Sequence, residues 1–130
     1  MQISKFSDYA FRALIYLANH SNKLCTVEEL SEQLQTSPHH MKKVIHKLAS
    51  TDYVVSLKGR TGGVRLGLSP QEINLGKVLT FTEENLNIFE CFTHNNCPMT
   101  AESCKLKTIS HAALSKFLNE FSAYSLADIL

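Results

Sequence analysis

Three of the four cysteines stand close together, as Cys91-x5-Cys97-x6-Cys104, and thiolates at such spacings can bind metal or exchange electrons. Four chemistries compete for them. A disulfide would leave one thiol over and is disfavoured in a reducing cytosol. Structural zinc favours four Cys or His ligands with at least one short Cys-x2-4-Cys pair, and the segment has none. Ordinary buried cysteines are not expected to cluster among Thr93, His94, Asn95, Asn96, Thr100 and Ser103. An iron–sulfur cluster accepts three thiolates plus a further ligand at wider spacings. Spacing alone leaves these alternatives open. Cys104 enters the last helix, whose N-terminal amides favour an anion, and Lys105 and Lys107 add compensating charge. Cys25 stands alone before Thr26 and reads as a small buried apolar residue.

A second set of side chains suits phosphates and base edges. Ser37, His39, His40, Lys42, Lys43, His46 and Lys47 fall in one stretch, and Lys58, Arg60 and Arg65 follow. The formal net charge of +1 taken alone argues against a nucleic-acid binder. That total hides a split. Residues 1–70 hold nine Lys and Arg against five acids, and residues 71–130 hold four Lys against seven acids. Within 37–65 the only acid is Asp52, so that segment carries +5.

The elements that must position these residues can be read from periodicity. Ser7-Asp8 predicts a helix start, with Phe6, Tyr9, Ala10, Ala13, Leu14, Leu17 and Ala18 recurring at helical spacing. Thr26 and Glu29 form a capping box before a short helix. Gln35-Thr36 predicts a tight turn. Ser37-Pro38 then opens a helix over 37–50 with Met41, Val44, Ile45 and Leu48 as its core stripe and the basic residues opposite. Residues 53–57 and 64–68 read as strands around a glycine-rich tip. Asp52, at the turn into this ribbon, is expected to tolerate a left-handed backbone and to be structural. A phosphate-binding P-loop is excluded, because no Gly-Lys-Ser/Thr triplet follows the glycines and no helix begins there.

Short helix, turn, helix and basic ribbon make a winged helix-turn-helix over residues 1–70, mainly α with a small β-wing. Its second helix can lie in a major groove about 12 Å wide, with Lys58 and Arg60 at the wing tip reaching phosphates or the minor groove. Residues 71–130 supply a short helix over 71–83, a cysteine-bearing loop over about 84–104, and a long helix over about 105–123. That last helix carries Leu106, Ile109, Ala113, Phe117, Phe121 and Tyr124 on one face, more than a small domain can cover, and is expected to dimerise.

At 130 residues and 44% apolar, the chain is expected to be one soluble, cytoplasmic unit. No apolar run is long enough to span a membrane, and the first residues lack a secretory pattern. No nucleophile–base pair or substrate motif is visible, so an enzyme is not expected.

Phe6-x-Asp8-Tyr9-Ala10-x-Arg12-Ala13-Leu14, Gly59-x-x-Gly62-Gly63-Val64-Arg65-Leu66, the three loop cysteines and Tyr124-x-Leu126-Ala127-Asp128 together carry a resemblance. The whole chain resembles the iron–sulfur winged-helix transcription regulators of the NsrR/IscR family, closest to its nitric-oxide-sensing repressors. The resemblance implies a homodimer on double-stranded palindromic operator DNA, with nitric oxide as effector releasing the operator. It implies an iron–sulfur cluster, [4Fe-4S] in preference to [2Fe-2S], held by Cys91, Cys97 and Cys104 with Asp8 supplied by the partner subunit. The histidine that one branch keeps three residues after the last cysteine is Lys107 here. His94 and His111 remain rival ligands and read as surface or packing histidines. The alternatives are a same-fold regulator of cluster supply or oxidative stress, and an iron–sulfur scaffold or electron carrier.

Overall fold

In chain order the elements are α1 (Lys5–Asn19), α2 (Val27–Gln33), α3 (Pro38–Ala49), β1 (Val54–Leu57), β2 (Gly63–Leu66), α4 (Leu75–Thr82) and α5 (Lys105–Ser122). The computed structural model describes residues 1–92, 97 and 104–130. The architecture is mainly α with a two-stranded antiparallel wing, as the sequence pattern predicts.

α1 begins one turn earlier than Ser7-Asp8 suggests. The Ser4 hydroxyl oxygen accepts the Ser7 N–H at 3.2 Å, which leaves Ser7 buried inside the helix and Asp8 still in the first turn. Ala10, Ala13, Leu14 and Leu17 are buried, and small alanines let neighbouring helices approach. On α2 the Thr26 hydroxyl accepts the Glu29 N–H at 3.1 Å. The Glu29 carboxylate is committed mainly to the Tyr16 hydroxyl at 2.8 Å and to the Lys23 ammonium, stapling α2 to α1.

Gln35, at φ 53°, takes the left-handed conformation that turns α2 into α3. Asp52 does not take it, contrary to the sequence expectation. Thr51 donates its hydroxyl to the Leu48 carbonyl and receives the Tyr53 N–H, so the chain leaves α3 through right-handed turns. The tight spot is relieved just past the other strand. A Cβ on Gly67 would lie 2.3 Å from the Asp52 carbonyl oxygen.

The wing pairs Val54 with Leu66 and Leu57 with Gly63, so its second strand starts and ends earlier than 64–68. Cys25 and Val64 exchange backbone hydrogen bonds of 3.0 and 2.7 Å, which ties the wing to the segment before α2.

Residues 71–83 are not one helix. A 3-10 turn over Pro70–Glu72 is followed by a break and then α4. The break is made by the C-terminus: Leu126 donates to the Ile73 carbonyl at 2.8 Å and Leu75 donates to the Tyr124 carbonyl at 3.0 Å. Asn74 caps α4 at the Lys77 N–H and also donates to the Ser122 carbonyl. The residues expected inward, Ile73, Leu75, Val78 and Leu79, are all buried. Leu126 is fully buried, and it joins Ile73, Leu75 and Val78 in one core with the α1 and α3 residues.

Three carboxylates hold local structure. Glu29 accepts from Lys23 and Tyr16, Glu72 accepts from the Ser69 side chain and N–H, and Asp128 accepts from the Ser125 N–H and hydroxyl. These bonds favour the charged form, so all three pKa values lie below their ordinary values of 4.5, 4.5 and 3.8. A depressed folded pKa contributes stability above the unfolded value that is lost as pH falls through the folded one. Acid denaturation is therefore expected to begin as pH drops through the ordinary carboxylate range. Asp128→Asn should flatten the acid limb of a melting-temperature-against-pH curve, and an unchanged limb would show that the Ser125 cap is not linked to unfolding.

Candidate nucleic-acid interface and cysteine segment

α3 shows two faces. Met41, Val44, Ile45 and Leu48 are buried, while Ser37, His39, Lys42, Lys43 and His46 are exposed. Ser37 serves the helix first, accepting the His40 N–H at 3.1 Å, and keeps its hydroxyl proton to donate. The other two members of the predicted basic face turn inward. The His40 ring meets the Tyr9 ring edge-on at 4.9 Å and lies 6.2 Å from Phe6. The Lys47 ammonium sits over the rings of Phe6 at 5.3 Å and Phe81 at 5.4 Å. Periodicity puts Phe6 and Tyr9 on the α1 stripe, and nothing in the sequence links them or Phe81 to the basic helix.

Lys58 and Arg60 stand exposed at the wing tip, where Gly59 at φ +107° turns the chain. A Cβ on Gly62 would lie 2.2 Å from the Leu57 carbonyl oxygen, so the tip needs glycine there. Arg65 is exposed on β2, with one guanidinium N–H donated to the Leu66 carbonyl. α3 and the wing thus expose Lys42, Lys43, Lys58, Arg60 and Arg65, cations able to neutralise phosphates, with the exposed Asp52 the one acid between them in the chain.

All four cysteines are free thiols. Cys25 is buried, and burial, aided by the nearby Glu29 charge, pushes its pKa up. Cys91 is exposed in a 3-10 turn over Glu90–Phe92, while Cys97 and Cys104 are half-buried. Cys104 is the N-cap of α5 and its side chain makes no capping bond, so the thiol is available beside the helix start. The Cys91 turn is anchored on α5, because Phe92 stacks on His111 at 5.2 Å and meets Phe89 edge-on at 5.6 Å. His111 is exposed on α5 and carries this stack, and His94 lies outside the described residues.

Asp8 is partly exposed and pairs with Arg12, at 2.9 Å to Nη2 and 3.1 Å to Nε. Among the described residues no three of His, Cys, Asp and Glu gather closely enough to hold a metal ion. Cys91, Cys97 and Cys104, expected to share one cluster, are thus not brought together at one point in this structure, with or without Asp8. The donors nevertheless suit an iron–sulfur cluster: three accessible free thiols, one at a helix N-terminus followed by the exposed Lys105 and Lys107. The contrast with Cys25 is measurable. A native thiol titration should show three fast-reacting cysteines and a fourth that reacts only at the rate of unfolding. Four equal rates would contradict the burial of Cys25.

The Rrf2 family of iron-dependent transcriptional regulators matches residues 3–130. The HTH-type transcriptional regulator NsrR of Bacillus licheniformis is 38% identical over 133 aligned positions, covering all of this chain and 92% of that protein. The NsrR of Bacillus subtilis is 36% identical, covering all of this chain and 90% of the relative. Among solved structures, T. potens IscR superposes with a TM-score of 0.76 at 20% identity, over 99% of this chain and 85% of that one. CymR, the global cysteine regulator of B. subtilis, superposes with a TM-score of 0.68 at 21% identity, over 99% and 95%. The relatives matched end to end are named as regulators of transcription and not as enzymes. The chain belongs to the Rrf2 family of transcriptional regulators, built as a DNA-binding winged helix.

Proposed function

We propose that this chain is a homodimeric repressor whose grip on operator DNA is set by an iron–sulfur cluster and released by nitric oxide. The observation that carries the reading is the pairing, in a chain matched end to end by NsrR regulators, of an exposed cationic face with a segment of three free thiols. Residues 1–70 would read DNA, with Ser37, His39, Lys42, Lys43 and His46 on α3 at the major groove and Lys58, Arg60 and Arg65 on the wing. His40 and Lys47 hold α3 in place and reach DNA only if their aromatic partners let go.

Residues 71–130 would hold the cluster and pair the subunits. Leu106 and Ile109 are 50% and 65% exposed, and Ala113 is exposed beside them, an apolar face of α5 that a symmetry mate would cover. A two-fold dimer of this kind reads a palindrome with half-sites about one helical turn or a multiple apart. Cys91, Cys97 and Cys104 would hold the cluster, of the [4Fe-4S] type, with Asp8 reaching across from the other subunit. When bound, the cluster supplies iron that takes nitric oxide. For Asp8 to serve, its carboxylate must leave Arg12, an exposed i,i+4 pair that costs only about 0.3–0.5 kcal/mol to break. A hundredfold change in operator affinity requires about 2.7 kcal/mol of coupling. No described helix is long and apolar enough to cross a membrane, and we place the protein in the cytoplasm.

Anaerobic reconstitution with iron and sulfide counting tests the cluster. The full chain should become coloured with about four irons per subunit, and Cys97→Ala should lose most of them. Zinc uptake, or a protein that stays colourless, would overturn the sensing half of the proposal. Selection from random-sequence duplexes tests the other half, and should return palindromes.

A further inference from the structure

The recognition helix is held from two sides by one small junction. α4 ends at Thr82, and the next residue, Glu83, begins the path to Cys91. The Glu83 carboxylate accepts the backbone N–H of Ser4 at 2.7 Å, across 79 residues of sequence. Ser4 is the N-cap of α1: its hydroxyl oxygen receives the Ser7 N–H, and its carbonyl receives the Asp8 N–H at 3.0 Å. A carboxylate from the base of the cysteine segment thus closes the N-terminus of α1, where negative charge is favoured. Two residues before Glu83, Phe81 supplies one ring over the Lys47 ammonium, and Phe6 of α1 supplies the other. Phe6 and Tyr9 also hold His40, one turn into α3. The end of α4, the start of α1 and the inward-turned flank of α3 that carries His40 and Lys47 therefore meet through contacts within one chain.

We propose that Glu83 and Phe81 are positioning residues that fix the recognition helix through the start of α1, giving the cysteine-bearing segment an intrachain line to the DNA-reading face. The proposal rests on the reading of this chain as a regulator gated at that segment. It is made from this chain's own residues and does not depend on the contact that Asp8 would make across the subunits. A shift of the α4 end moves the Lys47 clamp directly and the His40 clamp through Ser4 and α1. Lys47 is the readout: its ammonium is held by rings from both helices, so either one moving changes where α3 points.

Hydrogen exchange on the free full-length chain, with neither cluster nor DNA present, isolates this device. Glu83→Ala should speed exchange at residues 5–9 and, at a distance, at 40–48 by about fivefold, the change that one helix-terminus charge contact supports. α2 should keep its rate. Glu83→Gln retains a carbonyl acceptor for the Ser4 N–H and should recover most of the protection. Because coupling is reciprocal, Lys47→Ala should speed exchange at 79–83. Acceleration confined to α1, or equal acceleration of α2 and α3, would overturn the proposal. So would Lys47→Ala leaving 79–83 unchanged, and that arm decides the matter if Glu83→Ala fails to fold. Loss of cluster or DNA binding in the unsubstituted protein would instead refute the regulator reading and leave these rates as expected.

Discussion

Alanine at both Lys42 and Lys43 is expected to weaken binding to duplex DNA about sixtyfold per subunit at about 0.1 M salt, without unfolding the protein. Each neutralised phosphate contributes a slope of about 0.9 to log K against log salt, which is about eightfold between 1 M and 0.1 M salt. Two contacts multiply to about sixtyfold and lower the slope by about 1.8. The effect on folding should be small, since both side chains are exposed on the face of α3 opposite the buried Met41, Val44, Ile45 and Leu48. Lys47→Ala should behave differently. Its ammonium is engaged by Phe6 and Phe81, so its loss should lower the melting temperature more than the salt slope. An unchanged slope in the Lys42/Lys43 variant would mean that α3 is not the DNA-reading helix. That result would favour the scaffold or electron-carrier alternative.

The largest effect on stability is expected from Gly76→Ala. Gly76 is buried where α4 crosses the end of α5. A Cβ there would fall 2.0 Å from the Ser122 hydroxyl oxygen, 2.8 Å from its backbone nitrogen and 2.9 Å from its Cα. The hydroxyl could rotate away, but the backbone could not, and Ser122 is also fixed by the Asn74 side chain on its carbonyl. Overpacking of this kind costs about 3 kcal/mol, against about 1 kcal/mol gained from alanine's better helix propensity. The net loss of about 2 kcal/mol corresponds to a fall of about 8 °C in melting temperature for a chain of this size. Adding Ser122→Ala should recover only part of it, because the backbone conflict persists. A melting temperature that held or rose would show that α5 does not pack on α4 this closely.

α3, the helix proposed to read DNA, was legible in the sequence because its causes are local. Ser37-Pro38 starts α3, and the spacing of Met41, Val44, Ile45 and Leu48 fixes which side is buried. The inward turn of His40 and Lys47 was not legible, since their partners Phe6, Tyr9 and Phe81 are more than thirty residues away in the chain. The break in 71–83 escaped for the same reason: the backbone of 73–75 is claimed by 124–126, and helical periodicity is blind to that pairing. Asp52 shows the weakness of a single-residue preference. Aspartate tolerates a left-handed backbone, yet the turn that required one used Gln35. Cysteine spacing conveyed which residues were candidates and that Cys104 would start a helix. It could not convey how closely they approach one another, which depends on the tertiary path between them.

In the proposed function, one cluster-bearing protein holds its operator and lets go when nitric oxide arrives. The most direct measurement is an anaerobic binding isotherm on a selected palindromic duplex, recorded for the reconstituted protein before and after adding nitric oxide. Operator affinity should be at least about a hundredfold weaker after exposure, with no comparable change in Cys104→Ala. Superimposable isotherms before and after nitric oxide, from a protein shown to carry its cluster, would overturn the proposed release.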